Sequence, residues 1–405
     1  MLLAHLADVH LGARPYGLDV RESDILDSFS LIVDEILRER VNVVLVAGDL
    51  FDRPRPPNRI LAFAISQIKR LTEKGVRVIA AHGEHDLPGK RDETPLTLLQ
   101  DAIEGFYAPL PRTPGSPVHL AMEQVLRVNG LTVAVYPGAK LTPDKSRELA
   151  RTLLPAFSKV LEREEGPKVL LAHMGLEEVD PWSPAASSSM LPKADYVALG
   201  HIHSRILEEK HNPPYAYPGS LEPLNVAEMR GPPKRGGFLV DLSGGEASIQ
   251  DLLVDVRPFH VAEIQVSGGS PDVRAAVEKI LGGLASRKGP RGKPFVYLKM
   301  KYDGEAPAAE LHRIVASVSN KLGVIAVLGD LERIRASRGK LRPLVRGSHF
   351  ADPMQILVEE FKLGRDAASM ILELKEAIAS EDYEHAKGII LRLSERWEVI
   401  SRWAR

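Results

Sequence analysis

The chain has no cysteine among its 405 residues. Disulfide bonds, thiolate metal sites and cysteine nucleophiles are therefore excluded. The sequence also has no run close to the roughly 18 consecutive apolar residues of a membrane-spanning helix. Its first residues, MLLAHLADVHLG, lack the basic segment that opens a signal peptide, and Asp8 interrupts the apolar part early. These absences predict a cytoplasmic protein.

An excess of charge of either sign is also missing, because 53 Lys and Arg residues face 54 Asp and Glu residues and the net charge is −1. Nothing global indicates a nucleic-acid-binding protein, so a polyanionic partner would need local basic patches. The apolar fraction of 44% and the charged fraction of 26% are typical of a soluble globular protein. The length allows two or three domains.

Short apolar segments alternate with amphipathic ones through residues 1–254, which we assign to one domain. The apolar segments predict strands at residues 2–7, 41–47, 76–81, 131–136, 168–172 and 196–199. Several of them are apolar throughout, as expected for strands covered on both faces. The amphipathic segments predict helices, for example at residues 25–40 and 59–74. This alternation predicts an α/β architecture.

The pattern changes after residue 254. Strands predicted at 259–266 and 294–302 and helices predicted at 271–285 and 308–322 indicate a small α+β domain over residues 255–332. Residues 333–352 are basic and are predicted to be a linker, with phosphate contact as the alternative. Residues 353–405 carry the apolar stripes of helices.

Potential metal ligands follow five of the predicted strands, at the point where each strand ends. They are Asp8 and His10, then Asp49, then Glu84 and His85, then His173, and last His201 and His203. In a parallel sheet the carboxyl ends of the strands lie along one edge, so these side chains are expected to converge at one edge of one sheet. A single histidine of this kind is more often a loop residue than a ligand, but five coincidences favour a site for divalent metals. His82 is assigned to the third strand itself.

As a set, these motifs resemble those of the calcineurin-like dinuclear metallophosphoesterases. The matching segments are Asp8-x-His10, Gly48-Asp49, Gly83-Glu84-His85-Asp86, His173 and Gly200-His201-x-His203. Their spacing is similar to that of the archaeal DNA double-strand-break repair nucleases of the SbcD type. The resemblance implies an α/β/β/α sandwich, with a small α+β domain that caps DNA and with C-terminal helices that bind an SbcC-type ATPase. It also implies a homodimer formed through helices near residues 59–74 and 95–104.

The same resemblance implies the chemistry. Asp8, His10 and His203 would hold one Mn²⁺ ion, Asp49 would bridge, and Glu84, His173 and His201 would hold a second one. Two metals about 3.5–4 Å apart polarise a phosphodiester, generate a hydroxide and stabilise the leaving oxygen. His85 would act beside the scissile phosphate as the catalytic residue. The expected activities are an exonuclease on double-stranded DNA ends and an endonuclease on single strands.

The chain departs from the family pattern at two positions. Glu84 stands where the family usually has asparagine, and Asp52 stands where some members have a histidine implicated in catalysis. The first departure leaves open a catalytically weakened metal-binding scaffold of the repair complex. A phosphatase on the same fold is a further alternative, because this type of site serves many phosphate esters. Zn²⁺ or Fe²⁺ in place of Mn²⁺ also stays open.

Overall fold

The structure is a computed structural model that describes residues 1–88, 93–110, 115–138, 140–180, 184–230, 234–287, 289, 291–333, 369–370, 373–374, 387–389 and 392. The chain divides into one compact unit over Met1–Arg335 and a second over Ala336–Arg405. None of the described helices is long and apolar enough to cross a membrane.

Two six-stranded sheets form most of the first unit. One contains β1 (Leu2–Leu6), β2 (Val43–Ala47), β3 (Arg77–Ala81), β4 (Phe106–Tyr107), β11 (Lys234–Asp241) and β12 (Ser248–Asp255), in the order β12-β11-β1-β2-β3-β4. The other contains β5 (Val125–Val128), β6 (Leu131–Val135), β7 (Lys168–His173), β8 (Tyr196–Gly200), β9 (Ile206–Glu208) and β10 (Tyr215–Tyr217), in the order β5-β6-β7-β8-β10-β9. Strands β1 to β4 are parallel, as are β6, β7, β8 and β10.

The two sheets pack face to face and helices cover their outer faces. The inner core combines apolar side chains of both sheets, including Leu45 of β2 and Leu171 of β7. The first sheet is covered by α1 (Asp19–Arg38), α2 (Asn58–Thr72) and α3 (Pro95–Ala102), and the second by α4 (Pro117–Glu123) and α5 (Pro143–Leu161). Each central strand is buried on both faces, which explains its continuous apolar sequence. The predicted α/β/β/α sandwich is confirmed, whereas the expectation of a single sheet is wrong.

A third, three-stranded sheet follows in the chain. It consists of β13 (Phe259–Ser267), β14 (Phe295–Asp303) and β15 (Ile325–Arg333), all parallel, connected by α6 (Ser270–Ala285) and α7 (Ala308–Leu322). The two helices pack on one face, where Val277, Leu298 and Val315 belong to a common core. On the other face Phe295 and Tyr297 contact Met229 of the larger part. This sheet lies within the first compact unit, and the predicted division between residues 254 and 255 stays a prediction.

The predicted linker at residues 333–352 and the helical segment at 353–405 lie almost wholly outside the described residues. Within the second unit the described residues are helical. Ile389 is fully buried there, with Met370 and Leu374 packed against it. The Glu373 carboxylate and the Arg392 guanidinium form an ion pair at 3.6 Å.

Candidate metal centre

The predicted ligands lie where strands of the two large sheets end together. Asp8, Asp49 and Glu84 follow β1, β2 and β3 of the first sheet, whereas His173 ends β7 and His201 follows β8 of the second. The ligands therefore converge from two facing sheets and not along one edge of a single sheet, which corrects the expectation. Within each sheet these strands are parallel, so their carboxyl ends lie together and bring the ligands to one place.

The first group of donor atoms consists of Asp8, His10 and His203. Its members' ligand atoms all lie within 4.8 Å of one another. The Nε2 atoms of His10 and His203 are 3.3 Å apart, and His203 Nε2 is 3.8 Å from Asp8 Oδ1. Two imidazole nitrogens and one carboxylate oxygen thus face a common point, as ligands of a divalent metal do.

Asp49 lies between this group and a second one. Its Oδ2 atom is 3.8 Å from His10 Nε2 and 3.3 Å from His173 Nε2. Asp8, Asp49 and His173 also form a group with all donor atoms within 4.8 Å. A carboxylate with imidazole nitrogens on both sides occupies the position that a bridging ligand requires.

His201 and Glu84 lie close to His173. The His201 ring centroid is 5.3 Å from that of His173, and its Nε2 is 3.6 Å from Asp180 Oδ2. Glu84 is exposed and lines the same cavity as His173 and His201. Burial and the neighbouring His173 lower the pKa of His201, and the negative charge of Glu84 opposes that shift. Glu84 is therefore the most exposed of the seven predicted ligands.

Hydrogen bonds fix which ring nitrogen of two histidines faces the centre. His173 Nδ1 donates to the carbonyl oxygen of Ala47 at 2.8 Å, and His203 Nδ1 donates to the Glu228 carboxylate at 3.0 Å. With Nδ1 protonated, Nε2 carries the lone pair. The Nε2 atom of His173 is buried and faces the Asp49 carboxylate, 3.3 Å from its Oδ2. A buried acceptor of this kind fits a metal ligand.

The backbone around the centre adopts conformations that are uncommon outside glycine. Four of the predicted ligands have positive φ angles: Asp8 at 50°, His10 at 52°, Asp49 at 50° and His201 at 95°. Such angles are strained for most residues and cluster at functional sites.

Two glycines allow side chains to approach the chain closely. A Cβ atom on Gly48 would lie 2.3 Å from His173 Nδ1, and one on Gly83 would lie 2.1 Å from Asp49 Oδ1. Both glycines directly precede a predicted ligand, Asp49 or Glu84, so the ligand loops pass one another at distances that no other residue type permits.

The electrostatics favour a cation at the centre. Burial alone would raise the pKa of Asp49, but His173 and His10 outweigh it and lower that pKa. Burial likewise works against a charged His173, yet the carboxylates of Asp49 and Asp8 raise the pKa of His173 to about 10. The negative potential that would hold a proton at His173 would also hold a divalent metal. The site therefore fits a pair of metals, because it combines oxygen and imidazole donors, the buried Nε2 of His173 and a negative potential.

His85 lies beside the first group. Its backbone N–H donates to Asp49 Oδ1 at 2.8 Å, and its Nδ1 donates to the Asp52 carbonyl oxygen at 2.9 Å. Its ring centroid is 4.7 Å from that of His10, and the side chain is exposed. Asp52 is also close to His10, at 3.7 Å from Oδ1 to Nδ1. His10, Asp52 and His85 thus form a third group of potential donors.

Asp86, for which the sequence predicts no role, holds the ligand loops together. It is fully buried, its Oδ1 accepts from the Phe51 N–H and its Oδ2 accepts from the Gly83 N–H, both at 3.0 Å. Burial, followed by the nearby Asp49 carboxylate, raises the pKa of Asp86 to about 7. Asp86 joins the loop after β2 to the loop after β3, and its place in the Gly83–Asp86 motif was the available signal.

His82 does not belong to the third strand as predicted, because β3 ends at Ala81. The side chain is buried and its Nε2 forms a hydrogen bond with Thr94 Oγ1 at 2.9 Å. Thr94 caps the N-terminus of α3, so His82 supports the loop that leads to this helix.

Residues 1–205 match the family model for the calcineurin-like phosphoesterases. The chain is 36% identical to the DNA double-strand break repair protein Mre11 of Aeropyrum pernix over 398 residues. These residues are 96% of this chain and 95% of that protein. The chain belongs to the Mre11 family. Mre11 of Methanocaldococcus jannaschii is 33% identical over 305 residues, which are 74% of this chain and 77% of that protein.

Membership of the Mre11 family confirms the predicted family, fold and enzyme class, a metal-dependent phosphodiesterase. A calcineurin-like phosphoesterase domain implies a dinuclear metal site, in agreement with the groups of donor atoms described above. The assignment of each residue to one metal stays a prediction.

We expect Gly83→Ala to weaken Mn²⁺ binding about 10-fold or more, because the new Cβ would lie 2.1 Å from Asp49 Oδ1 and must displace that carboxylate or its loop. Calorimetric titration with Mn²⁺ measures the affinity, and thermal unfolding checks that the fold persists. The matched control is Gly244→Ala, whose Cβ would have no neighbour within 4 Å. Equal affinities in the two variants would contradict the close approach.

Proposed function

We propose that this chain is a cytoplasmic, Mn²⁺-dependent DNA nuclease in double-strand-break repair, an exonuclease on double-stranded ends and an endonuclease on single strands. The position of Asp49 supports the proposal most directly. Its Oδ2 lies 3.8 Å from His10 Nε2 and 3.3 Å from His173 Nε2, where one carboxylate can bridge two metals. The relatives in the Mre11 family are named as DNA double-strand break repair proteins.

Each proposed metal has its own ligand set. Asp8, His10 and His203 would hold the first, Asp49 would bridge, and Glu84, His173 and His201 would hold the second. Ligands that offer oxygen and imidazole nitrogen but no sulfur suit Mn²⁺. When bound, the two metals polarise the phosphodiester and activate the water that attacks it.

His85 supplies the remaining chemistry. Because its Nδ1 donates to the Asp52 carbonyl oxygen at 2.9 Å, the ring is held in place and its Nε2 is left for the substrate. The side chain is exposed beside His10, so a phosphate at the metal centre can reach it. From there His85 stabilises the charge that develops on the phosphate or protonates the leaving alkoxide.

The decisive assay compares Mn²⁺-dependent hydrolysis of double-stranded DNA ends with that of a phosphopeptide and of p-nitrophenyl phosphate. A nuclease degrades the DNA and leaves the other two nearly untouched. Preference for the phosphopeptide would support a phosphatase. Binding of Mn²⁺ and DNA without hydrolysis of any substrate would support the scaffold alternative, which the exposed Glu84 in place of asparagine favours.

His85→Ala is expected to lower the cleavage rate about 10²–10⁴-fold, the usual contribution of a general acid or base. Metal and DNA binding should remain near the wild-type values, because seven other residues form the proposed ligand set. Single-turnover cleavage and Mn²⁺ calorimetry measure the two effects. His119→Ala, at a side chain that is 55% exposed, serves as the control. Loss of one metal in His85→Ala would make His85 a ligand instead.

Glu84→Asn should weaken binding of the second metal and give equal or higher turnover at saturating Mn²⁺. With Glu84, the ligands carry three negative charges against four positive charges, which tightens binding but reduces the ability of the metals to polarise the phosphate. Mn²⁺ titration of binding and of rate separates the two effects, and Glu246→Asn is an exposed control. Unchanged affinity would show that Glu84 is not a ligand.

We also propose a homodimer, formed through α2 and α3, and an SbcC-type ATPase as partner of residues 353–405. Helix α2 directs Ile60, Ala64, Ile68 and Leu71 into the core. Leu61 and Ile65 are only partly buried, and Leu98 of α3 is 43% exposed, which leaves apolar surface for a second copy.

Light scattering is expected to show a dimer for the full chain and for a chain that ends at Arg346. Only the full chain should co-purify with the ATPase, whereas both should retain Mn²⁺-dependent cleavage. A monomer at micromolar concentration would contradict the dimer. Co-purification of the shortened chain, or its unfolding, would contradict the assignment of residues 353–405.

A further inference from the structure

Glu228 lies directly behind a proposed metal ligand. It begins the 3₁₀ turn Glu228–Arg230, and its Oε1 accepts a hydrogen bond from His203 Nδ1 at 3.0 Å. The opposite ring nitrogen, Nε2, is 3.3 Å from His10 Nε2 and 3.8 Å from Asp8 Oδ1. The carboxylate and the first metal group therefore lie on opposite sides of one imidazole ring.

The carboxylate of Glu228 is itself fixed by its surroundings. Its Oε2 accepts from Ser220 Oγ and from the Leu224 N–H, both at 2.9 Å, and Asn225 Nδ2 donates to Oε1. The Arg235 guanidinium donates to the Glu228 carbonyl oxygen at 2.7 Å and to Ser220 Oγ at 2.8 Å. A carboxylate held this way can hold the histidine ring in one orientation and one tautomer.

The next residue connects the same turn to the three-stranded sheet. Met229 is 5% exposed and forms an apolar cluster with Phe295 and Tyr297 of β14. The residue that orients His203 and the residue that anchors the turn on this sheet are thus consecutive. A shift of β14 relative to the large sheets would move Glu228 and, through it, His203.

We propose that Glu228 is a positioning residue for His203 and that Met229 makes this positioning depend on packing against the three-stranded sheet. The inference rests on the proposed role of His203 as a ligand of the first metal. A purely structural Glu228 would stabilise the loop from Ser220 to Arg230 and leave metal affinity unaffected, so metal affinity separates the two roles.

The test is calorimetric titration of the full chain with Mn²⁺, combined with thermal unfolding. Glu228→Leu should lower the affinity of one of the two sites by up to about 100-fold. Glu228→Gln keeps an oxygen that can accept from Nδ1, so the Mn²⁺ affinity of the same site should fall only about 10-fold. Glu164→Gln is the control, because this carboxylate pairs with Arg127 of β5, at the edge of the second sheet.

An unchanged affinity in Glu228→Leu, with only the unfolding temperature lowered, would overturn the proposal. If that variant does not fold, Glu228→Gln decides in the same way. Absence of Mn²⁺ binding by the wild type would instead refute the proposed function, so the two failures are distinguishable.

The contribution of Met229 has its own variant. Met229→Ala removes the contact with Phe295 and Tyr297 without touching His203, and it should weaken the same site by less than Glu228→Leu does. Met122→Ala, at a methionine that is 60% exposed, is the matched control. Wild-type affinities at both sites in Met229→Ala would overturn the dependence on the three-stranded sheet.

Discussion

The metal centre depends on the contact between the end of β2 and the ends of β7 and β8. The Ala47 carbonyl oxygen accepts the hydrogen bond of His173 Nδ1, and a Cβ atom on Gly200 would lie 1.9 Å from the same oxygen. Only glycine permits this approach of the two sheets. Since His173 and His201 come from one sheet and Asp8 and Asp49 from the other, a wider separation would leave no common point for a metal.

This contact has a conformational and an electrostatic cost. Positive φ angles at non-glycine residues such as Asp8, His10 and Asp49 cost about 1–3 kcal/mol each and persist only where the surrounding structure enforces them. Asp8 and Asp49 are also buried, at 1% and 3% exposure. Buried carboxylates are tolerated when hydrogen bonds and cations compensate their charge. Each sheet is packed between an outer apolar core and the inner core that the two sheets share, and this packing holds the strained φ angles. The metals that the site fits would compensate the charge.

The sequence predicts the parts of this structure that local chemistry determines. The central strands are apolar on both faces, so their positions and the ligands at their ends could be recognised. Which strands share a sheet could not, because β2 and β7 have equivalent apolar patterns although they belong to different sheets. Strand β11 contains Gly236 and Gly237 and β15 contains Gly329, which obscured their patterns. The role of Glu228 depends on a hydrogen bond to a residue 25 positions away, for which no local signal exists.

Buried ion pairs connect the three-stranded sheet to the part of the chain that carries the metal centre. Arg21 of α1 is fully buried and donates to Asp24 at 2.6 Å and to Glu222 at 3.0 Å, and its guanidinium lies 4.6 Å from the centre of the Phe259 ring. Arg257, just before β13, donates to Asp24 at 2.7 Å.

Removing one partner of such a buried pair costs about 3–5 kcal/mol, because the other charge is left uncompensated. Glu222 also belongs to the loop that carries Glu228. The three-stranded sheet is thus attached through α1 and through this loop to the residues that orient His203. A shift of that sheet would therefore act on the first metal group, since it would separate either the buried ion pair of Arg257 and Asp24 or the apolar contacts of Met229.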